Sequence, residues 1–194
     1  NYLSEIYKLF ENSDGSIDIC VSDIVYSNGG HHWRYDYLNG ITGIFDIEDK
    51  NYAVITTMNI SIRNMYNNNE LFDERLIIHE DEEFSSRILL KKKKFGFCAE
   101  AKYVYDNKVA TSATNTKLNP YYSFDQSVEM YVQLIKTNKR NGNLERYIQA
   151  LIANDLLWKL KSNTLFSIND DIREKQLSKI LPIINDIDEN ILLN

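Results

Sequence analysis

The chain is poor in the residues that mark several classes of protein. Its 194 residues include two cysteines, two prolines and seven glycines. So few cysteines exclude a small disulfide-bonded scaffold, and so little proline and glycine excludes collagen and Pro/Gly-rich disorder. No apolar stretch approaches the roughly 18 residues that a membrane-spanning helix needs.

The remaining composition is that of an ordinary globular domain. Hydrophobic residues make up 43% and charged residues 26% of the chain. The net charge of -6 and the pI of about 5.1 exclude a broad nucleic-acid-binding surface. The first residue is Asn1 and not Met, so we expect a processed or excised piece of a longer protein. Cys20 and Cys98 lie in apolar runs, which predicts buried thiols in a reducing cytosol.

Hydrophobic spacing predicts an α/β organisation over about the first 115 residues, followed by helices. In the first part we expect a helix at 2–12, a strand at 17–26 covered on both faces, a loop at 31–49, β structure at 52–62, a loop at 67–69, a helix at 80–90 and a strand at 95–105. In the second part we expect helices at 124–139, 144–161, 170–181 and 183–193, the last two separated by Pro182.

The most informative stretch runs from Phe72 to Ile88. Four consecutive acids, Glu80 to Glu83, open its helix. Carboxylates at a helix start are favoured by the helix dipole, and one at a strand-to-helix junction is well placed to act as a general base. The alternative is a solvated helix start with no chemical role.

Several short segments follow one another in a characteristic order. They are residues 1–10, the apolar run 17–26, residues 60–63, residues 71–74, the pair Glu80-Asp81 with Phe84 and Arg87 after it, residues 101–105 and Ser112. In this order the segments resemble the family 2 glycosyltransferases, especially the bacterial branch that builds capsule, lipopolysaccharide or cell-wall glycans. The resemblance covers roughly residues 1–120.

The resemblance implies a partial GT-A fold, which is a Rossmann-like α/β sheet, with a C-terminal helical extension. Residues 1–120 would be the acceptor-side half of the domain, and residues 121–194 the extension packed on it. The nucleotide-binding half, with its Asp-x-Asp motif, would be missing. The pair Asp186 and Asp188 lies in a helical context, so we interpret it as a solvated pair that arose by chance.

The implied function is sugar transfer from a nucleotide-sugar donor to a glycan or lipid-linked acceptor, with inversion at the anomeric carbon. Asp81 would act as general base and Glu80 would support it. A divalent cation, Mn²⁺ or Mg²⁺, is expected in the full-length enzyme, with no metal ligands in this chain. The fragment alone is expected to be inactive.

Trp33, His79 and Arg87 are further candidates for substrate binding. Trp33 could form an aromatic platform for a sugar ring or could anchor a loop by burial. His79 precedes the acids but has no partners at metal-ligand spacing, so an ordinary loop histidine is the alternative. The resemblance places Arg87 after the acidic pair.

A non-catalytic α/β-plus-helical module for oligomerisation or partner binding is the alternative function. A cytoplasmic location is expected, with peripheral contact at the inner face of the membrane left open, since Lys91 to Lys94 also complement a helix dipole. A homodimer is a further open expectation, through the apolar arc of residues 144–158. No nucleic-acid partner is expected.

Overall fold

The computed structural model describes residues 1–30, 32–48, 59–63, 72–106, 120–161 and 169–192. The chain divides into two compact units. The first unit comprises residues 1–50, 55–71 and 84–116, and the second comprises residues 51–54, 72–83 and 117–194. Across the described residues, no helix has the length and apolar character needed to span a membrane.

The first unit is built on a mixed β-sheet. Its elements are helix α1 (Tyr2–Asn12), strand β1 (Ile19–Tyr26), a 3₁₀ helix (Trp33–Leu38), and strands β2 (Gly43–Asp46), β3 (Ile60–Ile62) and β4 (Lys94–Tyr105). The strand order is β2-β4-β1-β3. Strand β1 runs parallel to β4 and antiparallel to β3, and β2 runs antiparallel to β4. The α/β fold class is therefore confirmed, with a sheet of mixed direction.

Strand β1 lies at the centre of this sheet. Residues 19–24 are buried, as expected for an apolar, β-branched run with a strand on each side. Helix α1 places Ile6 against Cys20, Cys98 and Ala101. Burial raises the pKa of Cys20 to about 12, with a smaller contribution from Cys98, so the thiol is protonated at neutral pH.

Close contact between α1 and β4 depends on Gly96. A β-carbon built there would lie 2.8 Å from Ile17 Cδ1 and 2.9 Å from Leu9 Cδ2. We expect Gly96→Ala to lower the free energy of unfolding by about 1–3 kcal/mol, because two side chains must shift. Urea denaturation checks this. Gly43→Ala is the matched control, since its added carbon meets Phe45 only at 3.7 Å or more; equal losses in both variants would contradict the argument.

The prediction of a loop at 31–49 is wrong in two places. The 3₁₀ helix forms because Tyr35 and Leu38 are buried, and β2 forms because it pairs with residues 94–97 of β4. Of the β structure expected at 52–62, the described part contains β3; residues 51–58 and the expected loop at 67–69 lie outside the described residues.

The second unit is helical. Its elements are α3 (Pro120–Asn138), strands β5 (Lys139–Arg140) and β6 (Asn143–Leu144), α4 (Arg146–Lys161), α5 (Asp170–Ile184) and α6 (Glu189–Leu192). Helix α2 (Glu80–Lys92) begins among the residues of this unit and ends among those of the first. Asn141 and Gly142 both have positive φ and form the turn of the β5–β6 hairpin.

Two predictions in the C-terminal part are wrong. Pro182 lies inside α5, because the buried side chains of Ile180 and Ile183 hold the last turn in spite of the missing N–H. The pair Asp186 and Asp188 lies in the turn after α5 and not in the expected helix; Asp188 is exposed there and Asp186 is partly exposed. Asp186 pairs with Lys139 Nζ at 2.5 Å, and Asp188 Oδ1 accepts the N–H of Asn190 at 2.8 Å.

Candidate active site

Helix α2 begins with the acidic residues that the sequence singles out. Glu80 and Asp81 lie in its first turn and are partly buried. Asp81 Oδ1 lies 2.8 Å from the backbone nitrogen of Glu82 and accepts its N–H. Backbone N–H groups at a helix start attract a carboxylate, and this hydrogen bond holds Asp81 in a defined position in the first turn. A carboxylate held in this way is a candidate general base.

The other two acids of this turn are not a solvated pair. Glu82 Oε2 lies 2.7 Å from His79 Nδ1. Glu83 is 1% exposed, and one of its carboxylate oxygens accepts a hydrogen bond from Gln133 Nε2 at 3.4 Å. Buried carboxylates are costly without partners, so the solvated alternative does not describe these residues.

His79 joins the start of α2 to two helices of the second unit. It has a φ of +65°, which is uncommon for a residue with a β-carbon. Its Nδ1 donates to Glu82, and its Nε2 lies 2.7 Å from the Ser127 hydroxyl on α3. The same Nε2 lies 3.9 Å from Asp155 Oδ2 on α4. His79 therefore lies in a loop, as the alternative interpretation expects, and its ring also contacts groups on three helices.

Asp155 is shared among several side chains. The Tyr131 hydroxyl donates a hydrogen bond to its Oδ2, and Lys159 Nζ lies 3.6 Å from the same oxygen. Burial raises the pKa of Tyr131 well above its ordinary value, and the negative charge of Asp155 adds to this. Tyr131 is therefore a donor across the physiological pH range.

Opposing effects act on the His79 ring. Burial lowers the pKa of His79, but its hydrogen bond to Glu82 and the negative charges of Glu82 and Asp155 outweigh burial. The net result is a pKa above the ordinary value of 6.5. The folded state therefore binds the His79 proton more tightly than the unfolded state does.

This shift predicts how stability depends on pH. Because the folded-state pKa of His79 is raised, its stabilising contribution is complete below pH 6.5 and is lost as the pH rises through the folded-state value. We expect this loss to be absent in His79→Asn, since asparagine tolerates positive φ but does not titrate. Urea denaturation of both proteins between pH 5.5 and 9 measures it, and parallel pH dependences in the two proteins would contradict it.

The other predicted binding residues occupy separate positions. Arg87 lies further along α2, with its guanidinium carbon 5.6 Å from the centre of the Phe84 ring. Trp33 begins the 3₁₀ helix of the first unit, is 48% exposed, and stacks on His32 with 5.7 Å between ring centres. The exposed indole contradicts the alternative of a loop anchored by a buried Trp.

A cavity of about 260 Å³ lies in the first unit, beside the 3₁₀ helix that Trp33 begins. Its lining combines carboxylate, amide and aromatic groups: Asp23, Tyr35, Asp36, Asn39, Gly40 and Phe97. Asp23 accepts a hydrogen bond from Lys102 Nζ at 2.6 Å. A lining that combines apolar aromatic surface with a few polar groups is typical of small-molecule sites.

Sequence reasoning missed the partners of His79. Ser127, Tyr131 and Asp155 lie in helices that the sequence predicts, but none of the three is a predicted site residue. The one available signal is the pair Asp155 and Lys159, which are four residues apart on an otherwise apolar helix. Nothing in the local pattern links that pair to His79.

The resemblance implies a divalent cation in the full-length enzyme, with no metal ligands in this chain. Within the part of the chain that the structure describes, no three or more His, Cys, Asp or Glu side chains are grouped so that they could hold a metal ion. The described residues therefore do not supply a site for the divalent cation that the resemblance implies.

The fold of the described residues is similar to the GT-A fold of solved structures. The structure superposes on S. aureus TarS (residues 1–349) in complex with UDP-GlcNAc with a TM-score of 0.68 and 12% identity, covering 97% of this chain and 54% of that chain. The TarS complex with UDP gives a TM-score of 0.64 at 12% identity, covering 97% of this chain and 53% of that one. No family model matches the sequence.

Among curated proteins, the chain is similar to the minor teichoic acid biosynthesis protein GgaB of Bacillus subtilis (strain 168). The two are 25% identical over 198 residues, a match that covers 97% of this chain. The chain spans 22% of the length of that relative. The predicted resemblance to GT-A glycosyltransferases of bacterial cell-wall glycan synthesis is thereby confirmed.

Proposed function

We propose that this chain is the acceptor-side portion of an inverting glycosyltransferase of cell-wall glycan synthesis. The observation that carries the proposal is the similarity to a teichoic acid biosynthesis protein over 97% of the chain. The proposed donor is a nucleotide sugar, supported by the UDP-GlcNAc complex of the structural neighbour TarS. The proposed acceptor is a glycan or a lipid-linked glycan, and the proposed location is the cytoplasm, with contact at the inner face of the membrane left open.

In the proposed reaction, an acceptor hydroxyl attacks the anomeric carbon from the side opposite the nucleotide. The new carbon–oxygen bond forms as the bond to the diphosphate breaks, and the diphosphate leaves with the bonding electron pair. Asp81 takes the proton of the hydroxyl, and Glu80 helps to hold the acceptor. The position of Asp81 in the first turn of α2, where its carboxylate accepts the N–H of Glu82, supports this role.

Trp33, His79 and Arg87 have different parts in this proposal. The exposed indole of Trp33 and the nearby cavity would bind a sugar unit of the acceptor, since sugar rings stack on aromatic faces. Arg87 would contact a polar group of the substrate. The contacts of His79 with Glu82 and Ser127 favour a role in holding the helix start over direct contact with substrate.

A divalent cation, Mn²⁺ or Mg²⁺, also belongs to the proposal. When bound, it would neutralise the charge of the leaving diphosphate. Its ligands would come from outside this chain, which agrees with the coverage of about half of the TarS chain. A homodimer and contact with a membrane surface remain proposals of the same kind.

The test uses the full natural protein that contains this chain. It is incubated with UDP-GlcNAc and other nucleotide sugars, Mn²⁺ or Mg²⁺, and candidate cell-wall glycan acceptors. We expect nucleotide diphosphate release that depends on the acceptor, together with a labelled acceptor product. Absence of transfer and of nucleotide-sugar binding, with a stable protein complex in its place, would favour the non-catalytic module.

A further inference from the structure

Residues of three helices, α2, α3 and α4, meet at the His79 side chain. The residue precedes α2, and its two ring nitrogens reach Glu82 on α2 and Ser127 on α3, each at 2.7 Å. Asp155 on α4 lies 3.9 Å from the second nitrogen. A side chain with partners on three helices restricts the position of all three chain segments.

The backbone at His79 needs such restraint. A φ of +65° is disfavoured for a residue with a β-carbon, and a site of this kind persists where the surroundings hold it. Helix α2 starts at the next residue, and the backbone N–H of Glu83 donates to the His79 carbonyl at 3.0 Å. The conformation of His79 therefore sets the direction in which the first turn leaves, and Asp81 lies in that turn.

The charges around the ring favour its protonated form. The charged and titratable groups that face it are Glu82 on α2, Tyr131 on α3, and Asp155 and Lys159 on α4. When His79 is protonated, Nδ1 donates to Glu82 and Nε2 donates to Ser127. After proton loss, Nδ1 still donates to Glu82, the Ser127 hydroxyl must turn to donate to Nε2, and the charge attraction between the ring and the two carboxylates is lost.

We infer that His79 is a positioning residue. Through it, Ser127 on α3 and Asp155 on α4 hold the start of α2, which carries Asp81. This inference rests on the proposed role of Asp81 as general base. It gives helices α3 and α4 a function in the reaction, although neither helix supplies a residue that contacts the substrate in this scheme.

The experiment compares Ser127→Ala with Ser178→Ala in the full natural protein. Ser178 is a matched control, because its hydroxyl bonds within α5 to the Lys175 carbonyl. We expect Ser127→Ala to lower kcat on the order of 10- to 100-fold with KM within about twofold, since misplacement of a base by about 1 Å has effects of this size. The wild-type kcat should fall as the pH rises through the His79 pKa above 6.5, and His79→Asn should lose this inflection.

Hydrogen exchange of the amides of residues 79–85 provides a readout that does not need activity. We expect faster exchange in Ser127→Ala and unchanged exchange in Ser178→Ala. If Ser127→Ala does not fold, Tyr131→Phe removes the hydroxyl that orients Asp155 and keeps the ring, and it should have the same effects on kcat and exchange.

The outcomes separate this inference from the proposed function. If Ser127→Ala has the same kcat, pH profile and hydrogen exchange as the wild type, the positioning role is overturned. In that case loss of activity in Asp81→Asn would still support the proposed function. Full activity in Asp81→Asn would remove the base. In that case faster exchange in Ser127→Ala would show a purely structural anchor, and the positioning role would also be overturned.

Discussion

Asp81→Asn should abolish sugar transfer by the full natural protein and leave its folding intact. General-base catalysis contributes about 10²–10⁴-fold to the rate, and an amide cannot take the proton of the acceptor hydroxyl. Asparagine keeps the size of the side chain and can still accept the N–H of Glu82. The loss of helix-dipole stabilisation should cost less than about 1 kcal/mol. Initial-rate transfer assays and urea denaturation measure the two effects.

Asp171→Asn is the matched control for this substitution. Asp171 also lies in the first turn of a helix, α5, and is exposed. The control removes a negative charge of the same kind from a helix start. A loss of rate seen in both variants would therefore come from removal of a helix-start charge and not from removal of the general base. Transfer at near wild-type rates by Asp81→Asn would remove Asp81 from the mechanism.

Phe97→Ala should cause a large loss of stability in the first unit. Phe97 is 1% exposed, lies on β4, and has its ring centre 5.4 Å from that of Tyr35. Truncation of a buried phenylalanine costs about 3–5 kcal/mol, through lost burial and the cavity that remains. This is a large part of the roughly 5–15 kcal/mol that stabilises a typical domain. Guanidinium or urea denaturation measures the loss.

Val104→Ala is a control on the same strand. Val104 is 61% exposed, so its truncation should change the free energy of unfolding by no more than about 0.5 kcal/mol. The comparison separates burial from any general sensitivity of β4 to substitution. Similar losses in the two variants would show that Phe97 does not have the role in the core that its burial indicates.

The elements with a strong local pattern could be predicted from the sequence. Helix α1 has the predicted bounds, and β1, α2 and β4 lie within two residues of theirs. Their apolar spacing is regular enough to identify each element without knowledge of its neighbours. Strand β2 could not be found in this way, because it exists through pairing with β4, about 50 residues away.

Tertiary contacts also override local rules in α5. Pro182 predicts a break, but the burial of Ile180 and Ile183 stabilises a turn that the proline alone would weaken. A helical pattern cannot show this, since the gain comes from side chains elsewhere in the second unit.

The candidate site, too, could be predicted only in part from the sequence. The acids at the start of α2 could be found from their sequence order and from the resemblance. The contacts of His79 could not, because Ser127 lies 48 residues further along the chain and no local period relates the two. Glu83 was predicted as one of four similar acids, and burial gives it a different environment.

The contacts of His79 have a consequence for related chains. A lineage that replaces this histidine removes one hydrogen-bond partner of buried Ser127 and one neighbour of partly buried Asp155, and the loss of a buried hydrogen bond is costly. Substitutions at positions 79, 127 and 155 should therefore arise together during evolution. Paired changes at these positions across homologous sequences would show this dependence, even where the rest of α3 and α4 has diverged.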